Sequence, residues 1–144
     1  MKKLKKFIPF RKKHPQVAVI KLAGVIAASS SLRKGLNLQS IETHLHDAFS
    51  NKRTTAVALV VNSPGGSPVQ SDLIQKRVRD LGQEFKKPIF VFCEDVAASG
   101  GYWIALAGDE IYANASSIIG SIGVVSAGFG FKEAISKLGI ERRI

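Results

Sequence analysis

The sequence predicts one α/β domain with a largely parallel sheet, and two observations carry this prediction. Short apolar runs such as AVALVVN (56–62) and IFVFC (89–93) have the composition of strands. A continuous run of this kind is typical of a strand buried on both faces of a parallel sheet. Segments with apolar residues at helical spacing lie between these runs, and strands that alternate with helices favour parallel pairing. The length of 144 residues, of which 45% are hydrophobic, suits a single domain with a core.

Hydrophobic spacing predicts the elements in order. The first strand is expected at 17–22 and is followed by a small, polar loop at 27–35. Helical spacing marks two helices by their apolar residues, which are Leu38, Ile41, Leu45 and Phe49 in the first and Ile74, Val78, Leu81 and Phe85 in the second. After IFVFC we expect, in this order, a loop at EDVAA, a helix over about 99–107, the strand EIYA, a loop and strand in SSIIGSIGVV, and a short helix in FKEAISKLG that Gly139 closes.

The net charge of +10 is concentrated at the N-terminus. Seven of the 21 basic residues lie within the first 15 positions, where there is no acidic residue, and they are Lys2, Lys3, Lys5, Lys6, Arg11, Lys12 and Lys13. Without them, 14 basic residues face 11 acidic ones, a net charge of +3. We therefore divide the chain into a basic arm (1–15) and a nearly balanced domain (16–144), and we expect no specific nucleic-acid binding. The arm is either a solvated extension or a contact with an anionic membrane surface or, without sequence specificity, with nucleic acid.

The sequence predicts no transmembrane segment and no internal disulfide. The apolar stretch from Val17 is too short to span a bilayer, and Lys21 interrupts it. Cys93 is the single cysteine, so it cannot form a disulfide within the chain, and its place at the end of an apolar strand favours a core position.

Two glycine-rich turns, NSPGGS (62–67) and AASGG (97–101), each follow a predicted strand. Because the carboxyl ends of successive parallel strands meet at one edge of a sheet, we expect the turns to lie side by side. Glycines let the first turn point its N–H groups outward, and a serine at a helix start has an unpaired backbone donor beside it. Ser99 could therefore be a nucleophile with an oxyanion site. The alternatives are a plain turn at the first site and, at the second, a helix-capping serine with small residues for close packing.

A nucleophilic serine needs a base, and the sequence supplies no clear one. His14 lies in the arm, and His44 and His46 are two residues apart on a helix, so they point in different directions and form neither a triad nor a metal pair. A lysine can replace histidine if desolvation lowers its pKa. Lys132 and Lys137 lie on the polar side of a helix, so we expect both to be solvated. The sequence also predicts no metal and no cofactor.

Three segments together resemble the signal peptide peptidase A (SppA/SohB) family of serine-lysine peptidases. They are LVVNSPGGSPVQSD (59–72), KKPIFVFCEDVAASGGYWIALAGDEIYANASSIIGSIGV (86–124) and KLGIERR (137–143). The resemblance runs from about Val17 to the end of the chain. It implies a ClpP/crotonase-like fold of stacked ββα units with largely parallel strands, assembly into a homo-oligomeric ring, and extended, apolar peptides as substrates. We also expect a cytoplasmic protein that can contact the inner membrane through the basic arm.

The resemblance implies a role for six residues. They are the nucleophile Ser99, the oxyanion N–H donors Gly66 and Gly100, the lysine-orienting Ser121, and the substrate-binding Gly65 and Gly101. The family's lysine normally follows the segment KLGIERR, and the sequence ends at Ile144 before such a residue. We therefore expect the peptidase domain to continue beyond this chain, and this chain alone to be inactive; the alternative is a natural pseudoenzyme without the lysine.

Two other functions remain open at this stage. A crotonase-like acyl-CoA enzyme shares the two backbone donors but needs no nucleophilic serine, and it usually has carboxylates near its thioester. Glu94 and Asp95 precede Ser99, although we interpret them as loop acids. A non-catalytic assembly protein at a membrane surface would use the basic arm and the ring fold alone.

Overall fold

The structure is a computed structural model that describes residues 14–28, 35–125 and 128–140. A parallel sheet is made of β1 (Gln16–Ala23), β2 (Thr54–Ser63), β3 (Ile89–Ala98), β4 (Glu110–Ala113) and β5 (Ile118–Gly120). The strand order is β1-β2-β3-β4, and β5 pairs with the end of β3 that β4 leaves free. The parallel pairing confirms the predicted α/β class. The ββα order occurs here once, in the last part of the described chain.

The helices are α1 (Leu38–Ser50), α2 (Pro68–Phe85), α3 (Gly100–Ala105) and α4 (Lys132–Lys137). A capping box begins α1, in which the Asn37 side chain accepts from the Ser40 N–H and the Ser40 hydroxyl accepts from the Asn37 N–H. Ser67 caps α2, and Pro68 occupies its first turn, where a missing N–H costs nothing. The second helix therefore begins before the apolar spacing that predicted it at Ile74.

One continuous core lies between the helices and one face of the sheet. Its largest fully buried side chains include Phe49 of α1, Leu59 of β2 and Ile74 of α2. Within the described residues β2 is buried along most of its length, as predicted for a central strand. The face of β3 opposite the helices is less covered, because Phe92 is 43% exposed and stacks on Tyr112 of β4.

Two boundaries near the glycine-rich turns differ from the prediction. The segment EDVAA continues β3 up to Ala98 and is not a loop. Glu94 forms an ion pair of 3.0 Å with Lys21, and Asp95 accepts a hydrogen bond of 2.9 Å from the Asn62 side chain, so neither is a free loop acid. Pairing with β5 also extends the strand. The following helix is shorter than predicted.

Several predictions fall on residues outside the described ranges. Those residues are most of the basic arm (1–13), the middle of the first loop (29–34) and the segment 141–144. Among the described residues, none of the helices has the length and apolarity needed to cross a bilayer.

Candidate active site

The structure brings the two glycine-rich turns together at one edge of the sheet, as the sequence predicted. Gly65 of the first turn packs against the second: a Cβ placed on it would lie 2.8 Å from the Ser99 Cβ. The same atom would lie 2.8 Å from the Ala98 carbonyl oxygen and 2.8 Å from the Gly100 nitrogen. Gly65 also has a φ of +97°, which side-chain-bearing residues rarely adopt. Only glycine therefore allows the turns to approach this closely.

Ser99 stands on a strained turn between β3 and α3. Its φ of 51° and ψ of −120° are unusual for a residue with a side chain. The conformation is held on both sides, because the Ser99 N–H donates to the Gly120 carbonyl at 2.7 Å and its carbonyl accepts from the Trp103 N–H at 3.0 Å. A strained strand-to-helix turn is the geometry by which α/β hydrolases present a nucleophilic serine.

The side chain of Ser99 does not cap the helix that follows it. Ser99 occupies the N-cap position of α3, but its hydroxyl makes no capping hydrogen bond. The capping alternative considered from the sequence is therefore wrong. The other part of that alternative, close packing, holds for the neighbouring glycines.

The backbone donors beside Ser99 differ in what they bond. The Gly65 N–H donates to the Ser63 hydroxyl at 3.1 Å. The N–H groups of Gly66 and Gly100, by contrast, make no hydrogen bond to another described residue. Gly66 has a φ of +146°, and a Cβ there would overlap the Ile26 carbonyl. Both donors that the resemblance implied therefore stay available.

Gly100 and Gly101 are buried by close packing. A Cβ on Gly100 would overlap the Ser71 hydroxyl, and one on Gly101 would overlap the Ser63 carbonyl oxygen. The absence of a side chain at Gly101 is thus explained by the contact between α3 and the end of β2. A role for Gly65 or Gly101 in binding substrate stays a prediction.

A small cavity opens beside Ser99, Gly66 and Gly100. The rest of its lining is largely apolar and comes from Pro68, Trp103, Ile122, Gly123 and Val124. A larger open groove of about 550 Å³ lies between α1 and α2, near Glu42 and Leu73, and none of its lining belongs to the two turns. Ser99 and the glycines whose N–H groups have no partner among the described residues, Gly66 and Gly100, therefore line the smaller of these two cavities.

Ser121 lies one residue after the carbonyl that holds Ser99. It is exposed and has a φ of 54°, a second side-chain-bearing residue in the left-handed region near this site. Its hydroxyl makes no hydrogen bond to another described residue. The structure thus places Ser121 close to Ser99 along the β5 connection, and its role toward a lysine stays a prediction.

No candidate base lines the cavity within the described residues. His14, His44 and His46 are exposed, as are Lys132 and Lys137. The described ranges also contain no group of three or more His, Cys, Asp or Glu side chains that could hold a metal ion.

One lysine not singled out from the sequence has an altered pKa. Burial lowers the pKa of Lys87, whose Nζ donates to the Asn51 carbonyl at 2.7 Å. Lys87 precedes β3, whereas Ser99 follows it, and a strand rises about 3.3 Å per residue. The length of the strand therefore separates this amine from Ser99.

Cys93 and Ser63 complete the surroundings of the site. Cys93 is buried on β3, and burial raises the pKa of its thiol, so it is the core residue that the sequence predicted. Ser63 was not singled out from the sequence, yet it is fully buried and holds the first glycine turn. A serine two residues before a turn glycine is a local signal for such a bond.

Comparisons with known proteins find similarity to peptidases. The family model of peptidase family S49 matches residues 82–144. A protein named Na(+)/H(+) antiporter NhaA from Brucella melitensis biotype 1 is 56% identical over 144 residues, which is 98% of this chain but 20% of that protein. Protease 4 of Haemophilus influenzae is 36% identical over 125 residues, covering 87% of this chain and 20% of that protease. The chain thus spans about a fifth of the length of either relative.

A solved structure shows the same fold. It is a serine-to-alanine mutant of a membrane-bound stomatin-specific protease, similar with a TM-score of 0.55 and 20% identity over 72% of this chain and 46% of that one. This likeness and the parallel sheet confirm the ClpP/crotonase-like fold class. The family match over residues 82–144 and the protease relative support the assignment of this chain to the signal peptide peptidase A family of S49 peptidases, as its resemblance indicated.

Proposed function

We propose that the protein is a serine peptidase in which Ser99 is the nucleophile. The observation that carries this proposal is the backbone of Ser99, strained at φ 51° and held by two hydrogen bonds while its hydroxyl is not used as a helix cap. Strain of this size persists only where the surrounding structure enforces it, and such sites are frequently functional. The match of residues 82–144 to peptidase family S49 supports a peptidase.

The geometry supports a separate role for Ser99, for a base and for the two N–H donors. The Ser99 oxygen attacks the carbonyl carbon of the scissile bond, and a base takes the hydroxyl proton and later returns it to the leaving amine. Negative charge then develops on the carbonyl oxygen. The N–H groups of Gly66 and Gly100 are the donors available to stabilise that charge.

We propose that a lysine supplies the base and that it comes from a part of the protein outside this chain. Two observations support this: no described lysine lines the cavity, and the chain spans about a fifth of its longer relatives. A lysine acts as a base only when desolvated. In this proposal Ser121 orients the amine with a neutral hydroxyl, because a carboxylate there would raise the lysine pKa.

The proposed substrates are extended, apolar peptides. The side chains of Pro68, Trp103, Ile122 and Val124 give the cavity beside Ser99 an apolar lining. Extended peptides bind such sites by adding a strand to an exposed sheet edge. Assembly into a ring, and contact of the basic arm with an anionic membrane surface, are part of the same proposal.

The other functions considered are less well supported. An acyl-CoA enzyme would use carboxylates near its thioester, but Glu94 pairs with Lys21 and Asp95 accepts from Asn62. The antiporter name of the Brucella relative describes a protein of which this chain matches 20%, so we do not carry transport over to this chain.

The test is hydrolysis of apolar fluorogenic peptides by the protein as the gene encodes it. Ser99→Ala is expected to lower the rate by about 10⁴ or more, the typical loss when an activated nucleophile is removed. Ser116→Ala is the matched control, since Ser116 is an exposed serine on a turn outside the cavity. Hydrolysis that survives Ser99→Ala would refute the assignment.

A further inference from the structure

We propose that Ser63 is the positioning residue that holds the oxyanion donors in place. This role rests on the proposed function of Ser99. Ser63 ends β2, is fully buried, and accepts the Gly65 N–H on its hydroxyl at 3.1 Å. It lies below the turn, so it acts through its neighbours and does not meet the substrate.

Ser63 also supports the second glycine turn. Gly101 packs directly on it, so that an added Cβ would overlap the Ser63 carbonyl oxygen and lie 3.1 Å from its Cβ. One buried residue therefore touches both turns. It fixes the first by a hydrogen bond and the second by contact.

The first turn needs such an anchor, because two successive glycines are conformationally soft. Gly65 and Gly66 both have positive φ values. Ile26 holds the far side of the turn, since its N–H donates to the Gly65 carbonyl at 2.9 Å and its carbonyl accepts from the Ser67 N–H at 2.8 Å. The Ser63 hydroxyl fixes the remaining Gly65 N–H. These three bonds leave the Gly66 N–H with a defined direction and no partner among the described residues.

Removing the hydroxyl changes that direction. In a Ser63→Ala variant the buried Gly65 N–H loses its acceptor, and a buried donor without a partner is unfavourable. The turn is then expected to rotate toward another acceptor and carry the Gly66 N–H with it. Oxyanion donors stabilise charge only when they are aimed in advance, and a misplacement of about 1 Å costs roughly 10²-fold in rate.

The experiment measures kcat and KM for Ser63→Ala in the protein as the gene encodes it. We expect kcat to fall by about 10- to 100-fold with KM changed by less than about threefold, because the lost interaction forms in the transition state. The control is Ser40→Ala, which removes a hydroxyl from the capping box of α1, away from the site. It should lower stability while leaving kcat unchanged.

A second readout does not depend on catalysis. Amide hydrogen exchange at Gly65 should be selectively faster in Ser63→Ala and unchanged in Ser40→Ala. Unchanged kcat in Ser63→Ala, or an equal fall in Ser40→Ala, would overturn the positioning role. If the wild-type protein shows no Ser99-dependent hydrolysis, the proposed function fails; the inference about Ser63 then stands or falls on the exchange at Gly65.

Discussion

The contact between the two glycine turns can be tested by Gly65→Ala, with Gly24→Ala as its matched control. The two glycines have nearly the same φ, +97° and +95°. They differ in surroundings, because a Cβ on Gly24 would meet nothing within 4 Å, whereas one on Gly65 would lie 2.8 Å from atoms of Ala98, Ser99 and Gly100. The pair therefore separates the cost of the dihedral angle from the cost of the contact.

The expected magnitudes follow from these two terms. An alanine in the left-handed region costs about 1–2 kcal/mol, so Gly24→Ala should lower the free energy of unfolding by that amount. Gly65→Ala adds overpacking of about 1–3 kcal/mol, which gives a total of about 2–5 kcal/mol. Domains of this size are stable by about 5–15 kcal/mol, so the variant should still fold.

Urea unfolding monitored by the fluorescence of Trp103, the single tryptophan of this chain, is the assay. Trp103 reports on the site directly, because it lines the cavity beside Ser99 and its backbone N–H donates to the Ser99 carbonyl. Gly65→Ala should also shift the emission of the folded state, whereas Gly24→Ala should not. Equal destabilisation by the two substitutions, with no change in emission, would mean that the turns are not in contact.

Three further predictions concern single side chains. Hydrogen bonds from the Ile89 N–H and from Arg79 lower the pKa of Asp109 below its ordinary value of 3.8. The ionised carboxylate therefore stabilises the fold above pH 3.8, and this stabilisation is lost as the pH falls through the lowered pKa. In Asp109→Asn the melting temperature should fall less steeply at acid pH than in the wild type, and an unchanged acid dependence would refute this. Burial raises the pKa of Cys93, so its reaction with a disulfide reagent should be slow in the native protein and fast in denaturant; equal rates would contradict its core position. Ser121→Ala should lower peptide hydrolysis by roughly 10 to 10³, as for a lost orienting hydrogen bond, without loss of fold, and wild-type kinetics at every pH would make Ser121 a packing residue.

Local sequence patterns predicted the helices and the strand cores well. The apolar spacing of Leu38, Ile41, Leu45 and Phe49 predicted α1, which the structure places at Leu38–Ser50. Sequence also predicted that the two glycine turns meet, since parallel strands end at one edge. These features depend on side-chain periodicity and on topology, both of which can be seen along the chain.

Features that depend on distant partners were not predictable. The polar segment at Glu94 and Asp95 has the composition of a loop, but pairing with β5 and the bonds to Lys21 and Asn62 make it strand. The strained backbone of Ser99 is likewise held by a hydrogen bond to the Gly120 carbonyl, which comes from a separate strand. The hydrogen bond between Gly65 and Ser63 is local, but the burial of Ser63 and its contact with Gly101 depend on the packed fold.

Labelling with a fluorophosphonate probe tests whether Ser99 is the nucleophile. The probe is applied to the protein as the gene encodes it, and the modified residue is located by mass spectrometry. We expect a single labelled serine, Ser99, with labelling abolished in Ser99→Ala and retained in Ser116→Ala. Labelling at a different serine, or a protein that hydrolyses peptides while Ser99 stays unlabelled, would contradict it.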